Sequence, residues 1–176
     1  AYLYNFIGKP YKTQHRVSQI LKEQYSTQPD GLSGNEDCGQ MSSWYVLSAL
    51  GFYAVTPGLP YYTIGSPLFT KASIHLENGK VFTIKTNKKK SDQIYIQNAT
   101  LNGNSFDKNY ISHSTIMEGG ELVFEMGNQP NKTWGINDLP NSSIDSIHDI
   151  SIVPYFETSS NSFSDSLLVS LKSIDD

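Results

Sequence analysis

The sequence predicts an α+β fold in which three N-terminal helices precede a small antiparallel β-sheet or β-sandwich. Near the N-terminus, apolar residues recur at helical spacing, as Met41, Trp44, Tyr45 and Ala49 do. After residue 56 the apolar segments become short, rich in β-branched and aromatic residues, and separated by turn residues, which is typical of strands. With 176 residues, the chain is long enough to bury a hydrophobic core.

The helices are expected at residues 2–7, at residues 11–25 and in a segment that ends at Gly51. Gly8 followed by Pro10 is a common stop signal for the first helix. The second helix is amphipathic and should pack one stripe of side chains, formed by Val17, Ile20, Leu21 and Gln24. The third helix is apolar nearly all round, so we expect it to be buried.

A glycine-flanked acidic loop, residues 34–39, leads into the third helix. Asp37 and Gln40 have the spacing of a capping box, with Asp in the place of the usual Ser or Thr. A carboxylate at the amino end of a helix is favoured in its charged form, and a charged carboxylate can act as a base. Two interpretations of Asp37 therefore stay open, a helix cap alone or a catalytic base.

Residue types that are common in turns predict where the strands begin and end. Asn78-Gly79 predicts a type I′ hairpin within residues 73–84, and Asn102-Gly103 predicts a second hairpin within residues 93–106. Gly119-Gly120 leads into a further strand at residues 121–126. We expect about six strands between residues 61 and 126, and two more within residues 150–158 and 166–174.

Composition excludes several classes of function. A net charge of −4 and a pI near 5.5 argue against nucleic-acid or anionic-membrane partners, and no apolar run is long enough to span a membrane. Cys38 is the single cysteine, so no internal disulfide can form, and a small buried hydrophobe is the expected role. Lys88, Lys89 and Lys90 are interpreted as a solvated turn. No residues have metal-ligand spacing.

Five stretches of sequence resemble a known family. They read GLSGNEDCGQMSSWYVLSALGFYAVTPG, YYTIGSPLF, IHLENGKVFTI, IYIQNATLNG and ELVFEMGNQPNKTWG. Over about residues 1–135, the chain looks like the C-terminal part of glycoside hydrolase family 92, the calcium-dependent exo-acting α-mannosidases. Both ends of the chain look cut, so we expect it to be a piece of a larger protein.

The resemblance implies a domain organisation. Residues 1–55 would be the C-terminal helices of a catalytic (α/α)₆ barrel, and residues 56–135 an antiparallel β domain. Residues 136–149 would be a linker, and residues 150–176 the truncated start of an appended β module. The outer apolar faces of the helices would then be exposed, or covered by a partner chain.

The resemblance also implies a reaction, in which terminal mannose is released with inversion at the anomeric carbon. We expect the mannose to be α-1,2-linked. Inversion requires one carboxylic acid and one carboxylate base. Asp37 occupies the position of the base. Some relatives carry an acid where this chain has Asn35, so Asn35 or the neighbouring Glu36 is expected to position substrate or water.

The partners and location follow from the same resemblance. A mannose-containing glycan is the expected substrate, and the missing N-terminal part of the protein is the expected partner. The general acid and the calcium ligands would precede Ala1, so calcium is expected in the intact enzyme and not in this chain, which alone should be inactive. The location would be periplasmic, cell-surface or secreted. The alternative is a non-catalytic carbohydrate-binding β module with ligand contacts at Tyr95 or Tyr110.

Overall fold

The chain divides into two units, Ala1–Ser142 and Ser143–Asp176. The computed structural model describes residues 1–141, 154–158, 160 and 162–172. Helices and sheets occur together in the first unit, so the coarse prediction of an α+β fold is confirmed. None of the helices in the described part of the chain is both long enough and apolar enough to cross a membrane.

The N-terminal segment is helical, as expected. A 3₁₀ helix spans Tyr2–Ile7 and ends at Gly8, which is left-handed with φ 67°. Helix α1 follows at Pro10–Glu23. The predicted packing stripe is only partly right, because Val17 and Leu21 are buried whereas Ile20 is half-buried and Gln24 is exposed.

Polar side chains fill the rest of the buried stripe of α1, namely Thr13, Gln14 and Ser18. The Gln14 side chain has a buried partner, because its Oε1 accepts a hydrogen bond of 3.1 Å from the Ile96 N–H in the larger sheet. A buried polar side chain is stable when its partner is supplied by another element. The helical pattern of α1 alone could not reveal that partner.

Helix α2 spans Gln40–Leu50 and ends at Gly51, whose φ is 110°. A Cβ at Gly51 would lie 2.7 Å from Pro67, so both the backbone conformation and the space favour glycine. The expectation that α2 is buried is wrong, because only Ser48 and Ala49 are buried and Val46 is 56% exposed. One face of α2 packs on the unit, and the exposed face carries Ser42, Ser43 and the apolar Val46.

The larger sheet has five strands, β3 (Lys71–His75), β4 (Val81–Thr86), β5 (Tyr95–Leu101), β6 (Asn104–Ser105) and β8 (Gly120–Gly127). Their order across the sheet is β3-β4-β8-β5-β6. The expectation of a wholly antiparallel sheet is wrong, because β4 and β8 pair in parallel. Such a pair needs a long crossover, here the chain from residue 87 to residue 119, and no local pattern specifies that pairing.

A second sheet has the order β1-β2-β7, with β1 (Phe52–Tyr53), β2 (Tyr61–Ile64) and β7 (Tyr110–Ser112). Both sheets contribute to one hydrophobic core. Phe52, Ile64 and Ile111 come from this sheet, and Phe82 and Phe124 come from the larger one. A short helix, α3 (His113–Met117), was not predicted, and Ser112 caps it by accepting from the Thr115 N–H at 3.0 Å.

The two predicted hairpins form, but their turns differ. Asn102 and Gly103 both have positive φ, 51° and 81°, as a type I′ turn requires. At the other hairpin only Gly79 has positive φ, and its N–H donates to the Leu76 carbonyl. The type I′ prediction for Asn78-Gly79 is therefore wrong, because the chain uses a longer turn with a left-handed glycine at its end.

Two buried asparagines connect the N-terminal 3₁₀ helix to the sheets. Asn5 Nδ2 donates to the carbonyls of Ile64 and Asn109, at 2.8 and 2.9 Å. Asn109 Nδ2 donates back to the Asn5 carbonyl at 3.1 Å and to the Gly135 carbonyl at 2.6 Å. These bonds satisfy main-chain carbonyls that water cannot reach, so they fix the helix to the sheets.

In the second unit, β9 (Tyr155–Glu157) pairs antiparallel with β10 (Ser170–Lys172). This pair confirms that both expected segments contain a strand. Most of the expected linker, residues 142–149, lies outside the described residues, as do residues 150–153 and 173–176.

Candidate functional site

The acidic loop changes direction immediately before helix α2. Asp37–Gly39 form a short 3₁₀ turn, and two consecutive residues in it are left-handed, Cys38 with φ 56° and Gly39 with φ 74°. A non-glycine residue at positive φ is uncommon and costs conformational energy. Because of this turn, Asp37 does not occupy the capping position of α2, which Gly39 takes instead.

Glu36 supplies the acceptor that α2 needs at its amino end. Its carboxylate accepts from the Ser42 N–H, at 3.0 Å to Oε2 and 3.3 Å to Oε1. Gln40 Nε2 donates to the Asn35 carbonyl at 3.2 Å, which holds the loop against the helix. The predicted capping box of Asp37 and Gln40 is therefore wrong. The spacing from Glu36 to Ser42 belongs to no local capping motif, so no sequence pattern predicts this contact.

Asp37 has an environment unlike that of Glu36. Its side chain is exposed, and it makes no hydrogen bond or ion pair with any residue that the structure describes. The interpretation of Asp37 as a helix cap alone is excluded by this geometry. Both carboxylate oxygens are available to solvent or to a ligand. Asn35 is likewise exposed, whereas Glu36 is half-buried.

Cys38, between Asp37 and Gly39, is exposed. The expectation of a buried hydrophobe is wrong, because the left-handed backbone at Cys38 belongs to a loop on the surface and not to the helix.

An aromatic cluster lies beside the acidic loop. The ring of Tyr25 is parallel to that of Trp44 with centroids 5.9 Å apart, and it contacts Tyr45 at 4.8 Å. Tyr25 Oη donates to the Met41 carbonyl at 3.1 Å. Burial and the negative charge of Glu36 raise the pKa of Tyr25. Tyr25 and Tyr45 also line a cleft of about 450 Å³ that extends to Ser42, the residue that Glu36 caps.

This cleft was not predicted, although its aromatic residues are visible in the sequence. The cleft forms because Tyr25 and Leu32 form an isolated antiparallel bridge, which folds the segment after α1 back toward α2. The turn at residues 28–31 allows this, since the Gly31 N–H donates to the Gln28 carbonyl at 2.9 Å. Aromatic faces next to polar side chains are typical of carbohydrate-binding surfaces.

Tyr95 and Tyr110, the ligand contacts expected of the alternative binding module, are held by neighbouring side chains. His15 Nδ1 and Tyr95 Oη are 3.2 Å apart, and Tyr110 Oη donates to Asp138 at 2.8 Å. Both tyrosines are half-buried and held by these contacts. Among the described residues, no three His, Cys, Asp or Glu side chains lie together as a metal site would require.

Known proteins match most of this chain. The model of the Glycosyl hydrolase family 92 catalytic domain matches residues 1–128. An "Uncharacterized secreted glycosidase" of Arthroderma benhamiae is 33% identical over 147 residues, which cover 81% of this chain and 19% of that protein. The family GH92 inverting mannosidase BT2199 of Bacteroides thetaiotaomicron is 45% identical, with TM-score 0.75, covering 79% of this chain and 19% of that one. The family GH92 α-mannosidase BT3965 of the same organism is 36% identical, with TM-score 0.76, covering 80% and 19%.

These matches define the class of protein as the glycoside hydrolases. Within that class, the chain belongs to glycoside hydrolase family 92. It spans 19% of the length of the relatives just named.

Proposed function

We propose that this chain is the C-terminal part of an inverting exo-α-mannosidase and supplies the general base, Asp37. The reaction is the hydrolysis of terminal mannose from glycans, with α-1,2-linked mannose as the proposed substrate. Two relatives support this choice of reaction, because one is an inverting mannosidase and the other is an α-mannosidase.

One observation carries the role of Asp37. Its carboxylate is exposed and unengaged by described residues, whereas the adjacent Glu36 is committed to the amino end of α2. A general base must reach a water molecule, so a carboxylate already used as a cap is the weaker candidate. The aromatic cleft beside the loop supports the same role, because sugar rings pack on aromatic faces.

The chemistry divides between two carboxyl groups. A base removes a proton from the water that attacks the anomeric carbon, while an acid on the opposite side of the bond protonates the departing oxygen. In inverting enzymes the two groups stand about 6.5–9.5 Å apart to leave room for that water. We propose that the acid lies in the part of the protein before Ala1 and that Asn35, exposed beside the base, helps to position the substrate or the water.

The family resemblance also implies calcium. Among the described residues, no three acidic, histidine or cysteine side chains lie together as a site for this ion would require. In the intact enzyme the ion would bind oxygen ligands elsewhere in the protein. We further propose a periplasmic, cell-surface or secreted location, which is supported by the relative named a secreted glycosidase.

The Asp37→Asn substitution in the longer enzyme that contains this chain tests the proposal. Because the amide cannot accept a proton from water, the kcat of the variant should fall by about 10²–10⁴-fold relative to the wild type. The substrates, assayed in parallel, are α-1,2-, α-1,3-, α-1,4- and α-1,6-mannobiose. The 176-residue chain alone should release no mannose from any of them, since it holds the base without the acid.

Asp30→Asn is the matched control, because Asp30 is another exposed carboxylate in the same connecting segment. It should retain near wild-type kcat. An Asp37→Asn enzyme as active as the control would refute the assignment of the base. Mannose release by the 176-residue chain would refute the proposal that the general acid lies in another part of the protein.

A further inference from the structure

A cleft of about 250 Å³ lies between α1 and the loop that joins β4 to β5. Four lysines line it, Lys22 from α1 and Lys88, Lys89 and Lys90 from the loop. Its walls also include apolar side chains, among them Leu21 and Leu68. The cleft therefore combines an apolar surface with a concentration of positive charge, in a chain whose net charge is −4.

The four lysines lack acidic partners among the described residues. Other lysines of the same unit do form ion pairs, Lys85 with Glu121 and Lys108 with Asp138. Lys88 is half-buried, and burial together with the nearby charge of Lys22 lowers the pKa of its ammonium group. Positive groups that repel one another at a concave surface attract a negatively charged ligand.

The loop that carries three of these lysines is held in place by hydrogen bonds. Gln93 Oε1 accepts from the backbone N–H groups of Lys89 and Lys90, at 2.7 and 3.0 Å. Lys88 Nζ donates to the Pro67 carbonyl at 2.8 Å, and Lys22 Nζ to the Ser91 carbonyl at 3.3 Å. The interpretation as a solvated turn is therefore incomplete, because two of the ammonium groups bridge the walls of the cleft.

The acidic residues close to these lysines in the sequence or along the rim of the cleft form no ion pair with them. Asp92 belongs to the same loop and is exposed, while Glu23 and Asp30 line a separate depression on the other side of Lys22. Glu23 accepts from Gln19 Nε2 at 2.9 Å. None of the three forms an ion pair with a described lysine of the cleft.

We propose that this cleft binds a tetrahedral oxyanion, phosphate or sulfate, either free or carried as an ester on a saccharide. Each ammonium group offers N–H donors to the oxyanion, and carbonyl contacts use only part of the donors on Lys22 and Lys88. The apolar wall suits the C–H face of a sugar ring. The site shares no lining residue with the acidic loop, so it does not depend on Asp37.

Isothermal titration calorimetry on the 176-residue chain at low ionic strength tests the site, with inorganic phosphate, sulfate, mannose 6-phosphate and mannose as probes. The anions should bind and uncharged mannose should not. Tighter binding of mannose 6-phosphate than of phosphate would identify the ester as the ligand. Equal binding would identify the free oxyanion.

The test variant carries Lys22→Gln, Lys89→Gln and Lys90→Gln, all at exposed positions, so Lys88 keeps its bond to Pro67. Anion affinity should fall by about tenfold, since three charge interactions are lost. The control variant removes the same charge elsewhere with Lys9→Gln, Lys80→Gln and Lys132→Gln, also exposed, and should stay within about twofold of wild type. Equal losses in the two variants, or no anion binding by the wild type, would overturn the proposal.

Discussion

Glu36 and Asp37 are adjacent in the acidic loop, residues 34–39, but their side chains lie in different environments. The cause is the backbone conformation between these residues and helix α2. Glu36 reaches the Ser42 N–H and is half-buried, whereas the Asp37 side chain is exposed and makes no hydrogen bond or ion pair with a described residue. The left-handed pair Cys38 and Gly39 produces this difference by separating the loop from the helical path. The strain at Cys38 is therefore associated with the residue that we propose as the base.

Tyr2 is the buried phenol whose titration should affect stability. Its side chain is 4% exposed, its hydroxyl donates to Ser48 Oγ at 2.9 Å, and burial raises its pKa well above the usual value of 10. Below pH 10 the folded and unfolded states both keep the proton. Above pH 10 the unfolded state loses it first, so the free energy of unfolding should fall, by at most about 1.4 kcal/mol per pH unit from this group.

Urea unfolding of the wild type and of Tyr2→Phe between pH 8 and pH 11 measures this effect. In Tyr2→Phe, the free energy of unfolding should fall less steeply with pH than in the wild type, because the contribution of Tyr2 is gone. The remaining pH dependence comes from Tyr25, Tyr61 and Tyr110, whose pKa values are also raised. Ser48→Ala is the control, because it removes the hydrogen bond but leaves the phenol buried. It should keep the wild-type slope, and identical slopes in Tyr2→Phe and wild type would contradict the account.

Helix α2 depends on a carboxylate from outside the helix, that of Glu36. Glu36→Ala should lower the free energy of unfolding by about 0.5–2 kcal/mol, because the Ser42 N–H loses its acceptor. Asn35→Ala, one residue earlier, removes an exposed side chain and leaves the backbone carbonyl that Gln40 uses, so it should change stability by less than about 0.5 kcal/mol. Urea unfolding at neutral pH compares them, and a Glu36→Ala variant as stable as the control would show that the cap contributes nothing.

Sequence patterns predicted the elements whose causes are local. Gly8 and Gly51 end helices in left-handed conformations, and Asn102-Gly103 forms its two-residue turn, because each outcome depends on a few neighbouring residues. The parallel pairing of β4 with β8 and the burial of Gln14 against Ile96 were missed. Both depend on partners far away in the sequence, which no periodicity records.

The candidate site was predictable in position but not in geometry. Family resemblance and glycine spacing pointed to the loop at 34–39, and the exposed Asp37 stays the proposed base. The predicted cap was Asp37, but Glu36 supplies the acceptor at the amino end of α2. This difference arises from the left-handed conformation of Cys38, which cannot be predicted from a residue type that rarely adopts it. The aromatic cleft was missed because it needs the bridge between Tyr25 and Leu32, which brings two separate segments together.

The buried hydrophobic residues of the described chain all lie between Tyr2 and Trp134. In the second unit, the described residues are exposed except for Leu167, which is half-buried, and one pair of short strands is the regular structure found among them. A single strand pair is marginally stable by itself. The free energy that folds the first unit should therefore come from its own core.

A chain that ends at residue 141 should consequently keep the stability of the first unit. Its main calorimetric unfolding transition should have the same midpoint as that of the 176-residue chain, and its urea-derived free energy of unfolding should agree within about 0.5 kcal/mol. Ile84→Ala in both chains is the control, because it truncates a side chain buried in the shared core of the two sheets and should destabilise both by about 2–5 kcal/mol. A shorter chain that unfolds at a clearly lower midpoint would show that residues 142–176 contribute to the stability of the first unit.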